Sequence, residues 1–138
     1  MAEYAAELRN VRLQRGDVLA LDDVSLALPA GQTTAVLGGS GSGKSTLIQL
    51  IIGLLSPDQG SVATLGSELR EDNLASIRKR IGYAIQEVAL LPHMIIRDNI
   101  LLPARLSGWS SGDQGARLEE LLQLMHLPDS VLDRYPHE

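Results

Sequence analysis

The first part of the chain alternates apolar and polar positions with the period of two that is typical of β-strands. Residues 7–28 carry this alternation, and the Arg-Gly-Asp sequence at residues 15–17 predicts a hairpin turn between two extended segments. A second turn is predicted at residues 29–32. The apolar, β-branched run at residues 33–37 comes next and predicts a short buried strand.

After residue 44 the apolar spacing changes to that of a helix. The apolar residues that form two adjoining helical faces are Leu47, Ile48, Leu50, Ile51, Ile52, Leu54 and Leu55. Because these faces cover most of the circumference, we expect a helix that is buried on nearly all sides. The Ser-Pro-Asp-Gln-Gly sequence at residues 56–60 predicts its end.

The rest of the chain is mixed and then helical. Residues 61–65 and 81–85 predict two more strands, and residues 73–80 predict a short basic helix. Residues 95–106 and 117–125 predict two further helices. The residues that form the apolar stripe of the last helix are Leu118, Leu121, Leu122 and Met125.

Composition narrows the class of protein. The 138 residues are 44% hydrophobic and 21% charged, which suits a single globular domain with an aliphatic core. The net charge is −5 and no long basic run is present, so nucleic acid is not an expected partner. The absence of cysteine excludes disulfides and thiolate metal sites. The longest apolar stretch, residues 47–55, is about half of the ~20 residues that span a bilayer, so we expect a soluble cytoplasmic protein.

Residues 38–45 read Gly-Gly-Ser-Gly-Ser-Gly-Lys-Ser and match the phosphate-binding loop G-x-x-x-x-G-K-[ST] at every fixed position. A predicted strand precedes this loop and a predicted helix follows it, as the motif requires. Glycines allow positive φ angles, so that successive N–H groups can turn toward phosphates. The predicted nucleotide-binding residues are Gly38, Gly39, Ser40, Gly41, Ser42, Gly43, Lys44, Ser45 and Thr46.

The last residues of the loop predict specific chemistry. The Lys44 ammonium is expected to reach the outer phosphates, and the Ser45 hydroxyl is expected to ligate Mg²⁺. The N-terminal end of the following helix adds a partial positive charge. The predicted ligands are therefore Mg²⁺ and a nucleoside triphosphate, of which ATP is the first candidate.

Other polar residues have competing interpretations. Gln86 ends a predicted strand and is a candidate contact for Mg²⁺ or the attacking water, with an ordinary solvated loop residue as the alternative. Asp22 and Asp23 follow an apolar run as Mg²⁺-binding carboxylates do, but they precede the loop, and we interpret them as an exposed turn or strand bend. The basic residues 78–80 are expected to form a solvated helix end.

The sequence resembles the nucleotide-binding subunit of ABC transporters over residues 7–138. Residues 21–26 resemble the strand that leads to the P-loop, residues 38–46 the Walker A motif, and residues 81–86 the run into the Q-loop. This resemblance implies that Gln86 contacts Mg²⁺ and water.

Three shorter segments resemble importers of glycine betaine, choline and related osmoprotectants. They are residues 91–94, 106–109 and 134–138, and amino-acid importers carry similar segments. The resemblance therefore implies an importer, with osmoprotectants as the first candidate solutes and with a transmembrane permease subunit and a second nucleotide-binding subunit as partners. It also implies a peripheral position on the cytoplasmic face of the plasma (inner) membrane.

Two features depart from the family pattern. Where the family usually places an aromatic residue that stacks on adenine, this chain has Arg15, or alternatively Gln14. In the family, the signature Leu-Ser-Gly-Gly-Gln, the Walker B aspartate, its neighbouring glutamate and the switch histidine follow the segment that ends here at Glu138; His137 is not that histidine. We therefore expect the 138 residues alone to hydrolyse ATP barely or not at all, since phosphoryl transfer depends on such groups.

The implied fold class is α/β, of the P-loop NTPase type, as an incomplete ABC-type nucleotide-binding domain. Its expected segments are a β-rich start at residues 1–34, a P-loop to Q-loop core at residues 35–94, and the start of a helical subdomain at residues 95–138. The strand at residues 33–37 is expected to favour aggregation if its neighbours are missing. The alternatives are another P-loop enzyme, such as a kinase, and a non-catalytic chain that binds nucleotide weakly or binds only a partner chain.

Overall fold

The structure is a computed structural model that describes residues 3–86 and 89–138. Its strands and helices are β1 (Tyr4–Arg15), β2 (Val18–Pro29), α1 (Lys44–Ile51), β3 (Gln59–Thr64), β4 (Ser67–Glu68), α2 (Leu74–Arg78), α3 (Ile96–Leu106), α4 (Ser111–Leu124) and a 3-10 helix (Asp129–Val131). They fall into two compact units, which we call the first unit (Met1–Gly82) and the second unit (Tyr83–Glu138). None of the described helices has the length and hydropathy needed to cross a bilayer.

The β1–β2 hairpin confirms the alternation seen in the sequence. The two strands pair in antiparallel register, with Leu8 opposite Leu26 and Arg15 opposite Val18. The turn contains only two residues, and Gly16 takes a φ of 58° there. A positive φ at this position is compatible with the tight turns that join twisted strands. The hairpin therefore ends in a sharp tip formed by Arg15 and Val18.

The β1–β2 register shifts at several places, and one of them is a bend around Asn10 and Asp23. Asn10 and Asp23 each take a φ of 49°, and the Asn10 side-chain amide donates a hydrogen bond of 3.0 Å to the Asp23 carboxylate. The backbone N–H of Asn10 donates to the Ser25 hydroxyl at 2.8 Å. On the exposed surface, the Asp22 Oδ1 atom lies 3.6 Å from the Arg12 Nε atom. These contacts confirm the prediction that the aspartate pair marks a strand bend.

The sheet of the first unit has the order β2-β1-β3-β4, and all neighbouring strands are antiparallel. Helix α1 packs against this sheet and fills its core. The buried side chains of this core are Leu8, Val11, Leu13, Leu47, Leu50 and Val62. The sheet thereby positions α1, which begins at the predicted phosphate-binding loop.

Helix α1 is buried on one face only, which corrects the prediction of burial on nearly all sides. Leu47 and Leu50 are buried, whereas Ile48 is 39% exposed. The helix also ends at Ile51, so that Leu54 lies beyond it. Only the side that faces the sheet gains burial, because the described part of the first unit places no second layer over the other face.

The C-terminal end of α1 is held by side chains from β3 and α2. The Thr64 hydroxyl donates a hydrogen bond of 2.6 Å to the carbonyl of Ile51. The Arg78 guanidinium donates to the carbonyls of Ile52, at 3.3 Å, and of Gly53. Residues 78–80 are exposed at the end of α2, which confirms the prediction of a solvated helix end. The Arg78 guanidinium has an additional role that was not predicted, because it donates to carbonyls that the end of α1 leaves without partners.

Two predicted buried strands do not form in the described part of the chain. Residues 33–37 have no strand partner and are exposed, with Leu37 at 90% exposure. Residues 81–85 are also outside any strand, and Tyr83 and Ile85 are exposed. A strand exists only where a neighbour accepts its backbone hydrogen bonds, and among the described residues neither segment has such a neighbour. The prediction of buried strands at residues 33–37 and 81–85 is therefore wrong for the described part of the chain.

The second unit is helical, with a smaller core. Its buried side chains are Leu101, Leu118, Leu122 and Leu132. Helix α4 begins at Ser111, six residues before the predicted start, because the Ser110 hydroxyl caps it by accepting a hydrogen bond of 3.2 Å from the Asp113 N–H. Met125 was predicted to lie on the apolar stripe, but it follows the helix end and is 64% exposed.

Candidate nucleotide-binding site

The glycine-rich loop takes the backbone conformation that its sequence predicts at two of its four glycines. Gly41 has a φ of 78° and Gly43 a φ of 88°. Gly43 is also the N-cap of α1, and its carbonyl accepts the first helical hydrogen bond, from the Leu47 N–H at 2.8 Å. A Cβ at Gly43 would lie 2.9 Å from the Ala20 carbonyl oxygen. Glycine is therefore required here both by the positive φ and by the close approach of β2.

The partial positive charge at the N-terminal end of α1 is not balanced by an acidic residue in the first turn of the helix. No side chain of the described residues caps this end, and its first turn contains no acidic residue. The first N–H groups of a helix have no partners inside the helix, and its dipole places a partial positive charge at that end. Such an end is suited to bind an anion, and the loop directs it toward the cavity described below.

The Lys44 ammonium folds back over the loop. It donates to the carbonyls of Gly38, at 2.9 Å, and of Gly39, at 2.6 Å. Its third contact is a longer one, 3.3 Å to the Ser42 hydroxyl. A lysine ammonium has three donors, so all three are used within the loop. The lysine thus holds the loop in shape, and its weakest contact is the one that a phosphate oxygen would replace.

A cavity of about 250 Å³ opens between the loop and the hairpin. The residues that line it are Arg15, Val18, Ala20, Gly41, Ser42, Gly43, Lys44, Ser45 and Thr46. The structure therefore brings together six of the nine predicted loop residues and the predicted base-contacting residue. Gly38, Gly39 and Ser40 lie outside this lining, and the first two contribute the carbonyls that hold Lys44.

The hairpin tip distinguishes between the two candidates for the base contact. Arg15 lines the cavity, whereas the Gln14 side-chain amide donates a hydrogen bond of 2.9 Å to the Gly16 carbonyl. Val18 and Ala20 also line the cavity and were not predicted. A two-residue turn places the residues on either side of it opposite one another, so the sequence already contained the signal that Val18 accompanies Arg15.

The two predicted metal contacts lie in different units. Ser45 lines the cavity of the first unit, at the start of α1. Gln86 is exposed at a bend in the second unit, and the two residues that follow it lie outside the described residues. The role of Gln86 as a contact for Mg²⁺ and water remains a prediction.

A larger cavity, of about 700 Å³, lies on the second unit between the end of α3 and the start of α4. Trp109 lines it together with Arg117 and Glu120, which pair at 2.6 Å. Glu120 neutralises Arg117, and the lining residues include no glycine-rich loop. This cavity is therefore not a candidate triphosphate site, although it is the larger of the two.

The fold and the loop define the class of the protein as a P-loop NTPase of the α/β type. The chain belongs to the ABC transporter family, whose pattern it matches over residues 21–138. It is similar to a solved ATP-binding cassette, a dimer in a post-hydrolysis state bound to ADP and Pi, with a TM-score of 0.83 and 29% sequence identity. That match covers 96% of this chain and 62% of the cassette.

Three curated relatives are importer components. A carnitine transport ATP-binding protein of Listeria monocytogenes is 36% identical over 90% of this chain and 31% of its own length. A glycine betaine uptake system ATP-binding protein of Escherichia coli is 35% identical, over 96% of this chain and 43% of its own length. A sulfate/thiosulfate import ATP-binding protein of Synechocystis is 41% identical, over 95% of this chain and 36% of its own length. The chain therefore spans less than half the length of these relatives.

Proposed function

We propose that this chain is the P-loop part of the ATP-binding subunit of an ABC importer, and that it binds MgATP. The observation that carries the proposal is the cavity where the uncapped N-terminal end of α1, the Lys44 ammonium and the hairpin tip meet. A triphosphate needs several donors at once, and this arrangement supplies backbone N–H groups, an ammonium and a guanidinium.

The binding step follows from the present contacts of Lys44. The 3.3 Å contact to the Ser42 hydroxyl is replaced by a phosphate oxygen, while the two carbonyl contacts keep the ammonium above the loop. The Ser45 hydroxyl, which lines the same cavity, would hold Mg²⁺, and the ion would supply positive charge to the outer phosphates.

The 138 residues alone bind nucleotide and turn it over slowly or not at all. Among the described residues that line the loop cavity there is no carboxylate or histidine that could act as a general base. General-base help is typically worth about 10²–10⁴-fold in rate. A hydrolysis rate typical of intact enzymes, abolished by Lys44→Ala, would contradict this part of the proposal.

The importer role rests on the relatives. They are named for carnitine, glycine betaine and sulfate/thiosulfate, so they support an importer and favour an osmoprotectant only in part. In this role the subunit lies on the cytoplasmic face of the membrane and works with a transmembrane permease subunit. A second nucleotide-binding subunit pairs with it, as the dimeric ATP-binding cassette suggests.

The test is a titration of the purified chain with MgATP by calorimetry, in parallel with the Lys44→Ala variant. A hydrogen bond to a charged group contributes about 1.5–3 kcal/mol, so Lys44→Ala is expected to weaken binding about 10- to 100-fold. Lys79→Ala is the matched control, because this substitution removes the same charge from an exposed lysine outside the cavity. Equal affinity of the wild type and Lys44→Ala, or a complete lack of binding, would contradict the proposal.

A further inference from the structure

The wall of the cavity that the hairpin contributes is distinct from the phosphate-binding wall. The loop and the start of α1 supply the backbone and hydroxyl donors, and the hairpin supplies only Arg15, Val18 and Ala20. The Ala20 carbonyl approaches the loop so closely that a Cβ on Gly43 would lie 2.9 Å from it. The hairpin therefore closes the same cavity that would hold the phosphates, and its side chains are those left to meet the nucleobase.

This hairpin wall offers hydrogen-bond donors without a side-chain acceptor. Val18 and Ala20 are apolar, and a guanidinium has five N–H donors and no acceptor. Among residues 3–86 and 89–138, no carboxylate forms an ion pair with Arg15. Asp17 follows in the turn but does not line the cavity. The Arg15 side chain is thus available to a ligand.

The two purine bases differ in what they present to such a group. Guanine presents two adjacent acceptors, N7 and O6, which match an arginine bidentately. Adenine presents the N7 acceptor beside the N6 amino group, which is a donor and finds no acceptor on a guanidinium. An arginine that stacks on the face of the base treats both purines alike. Neither geometry favours adenine.

We propose that Arg15 is the residue that determines base specificity in this cavity, and that it admits guanine at least as well as adenine. This inference rests on the proposed function and refines it. The ligand class is then the purine nucleoside triphosphates, held mainly by their phosphates.

The experiment is calorimetric titration of the full chain with MgATP, MgGTP and inorganic tripolyphosphate. MgGTP is expected to bind as tightly as MgATP, or up to about fivefold more tightly, the lower end of the discrimination of an arginine–guanine pair. Arg15→Gln is expected to reverse the preference, because a carboxamide pairs with N6 and N7 of adenine. Arg15→Ala is expected to weaken the binding of both nucleotides and to make their two affinities more nearly equal. Arg12→Ala, on the same strand outside the cavity, controls for the lost charge.

Two results would overturn the inference while leaving the proposed function intact. One is tripolyphosphate binding together with MgATP bound more than about threefold more tightly than MgGTP, a difference well above titration error. The other is an unchanged ratio of the two affinities in Arg15→Gln, with a far-UV circular dichroism spectrum like that of the wild type. If neither nucleotide nor tripolyphosphate binds, the proposed function fails, and the inference fails with it.

Discussion

The two units of the chain achieve burial to different degrees. In the first unit, a helix lies on a sheet, and three of the six core side chains, Leu8, Val11 and Leu50, are at most 1% exposed, while the other three are 4–7% exposed. In the second unit, two helices and a 3-10 turn surround four leucines that are 4–8% exposed. The candidate site lies in the first unit, at the start of the helix that carries Leu50. The comparison indicates that the loop is supported by the better-packed of the two cores.

The difference follows from the elements themselves. A sheet offers one broad face, so the apolar residues of β1 and β3 meet the single face of α1. Two helices that pack on each other cover less of one another, and apolar residues near their ends stay exposed, as Leu106 and Leu124 do. A site that must hold a charged ligand in a fixed geometry benefits from the first arrangement, because close-packed neighbours keep the backbone of the loop in place.

The largest expected effect compares the two cores directly. Leu50→Ala is expected to lower the free energy of unfolding of the first unit by about 3–5 kcal/mol, because the side chain is fully buried and leaves a cavity. Leu122→Ala in the second unit is expected to cost less, about 2–3 kcal/mol, since its site can relax toward solvent. Chemical denaturation followed by circular dichroism measures both. An equal cost for the two variants would contradict the difference in packing.

Sequence patterns predicted those elements whose stability comes from local or nearby pairing. The hairpin, its turn at Gly16 and the start of α1 at Lys44 all follow from residues close in sequence. The glycines at positions 41 and 43 take positive φ for the same reason. Fold class was predicted from the loop motif and its family resemblance, and the match to the ABC transporter family confirms it.

Sequence patterns failed where a structural element depends on a contact with another residue that apolar spacing does not reveal. Residues 33–37 are β-branched and apolar, but among the described residues no strand lies beside them, so no strand forms. The length of α4 was underestimated because the helix begins at Ser111, directly after the Ser110 cap and six residues before the start that apolar spacing indicates. Arg78 reads as a surface residue in the sequence, and only the position of the α1 carbonyls gives it a structural role.

The next effect tests whether the loop depends on its close contact with β2. Gly43→Ala is expected to destabilise the first unit by about 2–3 kcal/mol, because a left-handed backbone alone costs a non-glycine residue about 1–2 kcal/mol and the added Cβ meets the Ala20 carbonyl. Triphosphate affinity should fall as well, since the loop must shift. Thermal unfolding and calorimetric titration measure the two effects.

Gly39→Ala is the matched control for that experiment. It adds the same methyl group to the same loop, where nothing lies within 4 Å of the new Cβ and the φ is not positive. A loss of stability in Gly39→Ala as large as that in Gly43→Ala would show that an added methyl group destabilises the loop at either glycine. The specific contact between the hairpin and the loop would then not be the cause.

The smallest expected effect concerns the C-terminal end of α1, where Arg78 contacts the carbonyls that follow the helix. Arg78→Ala is expected to lower stability by about 1–2 kcal/mol, because the carbonyls of Ile52 and Gly53 lose their donor. Arg78→Lys keeps the favourable charge near the helix end and should recover part of this loss. The exposed Arg80→Ala is the control and should change stability by less than about 0.5 kcal/mol. If Arg78→Ala behaves like this control, the contact contributes nothing to the first unit, and the advantage of its core rests on the apolar packing of α1 against the sheet alone.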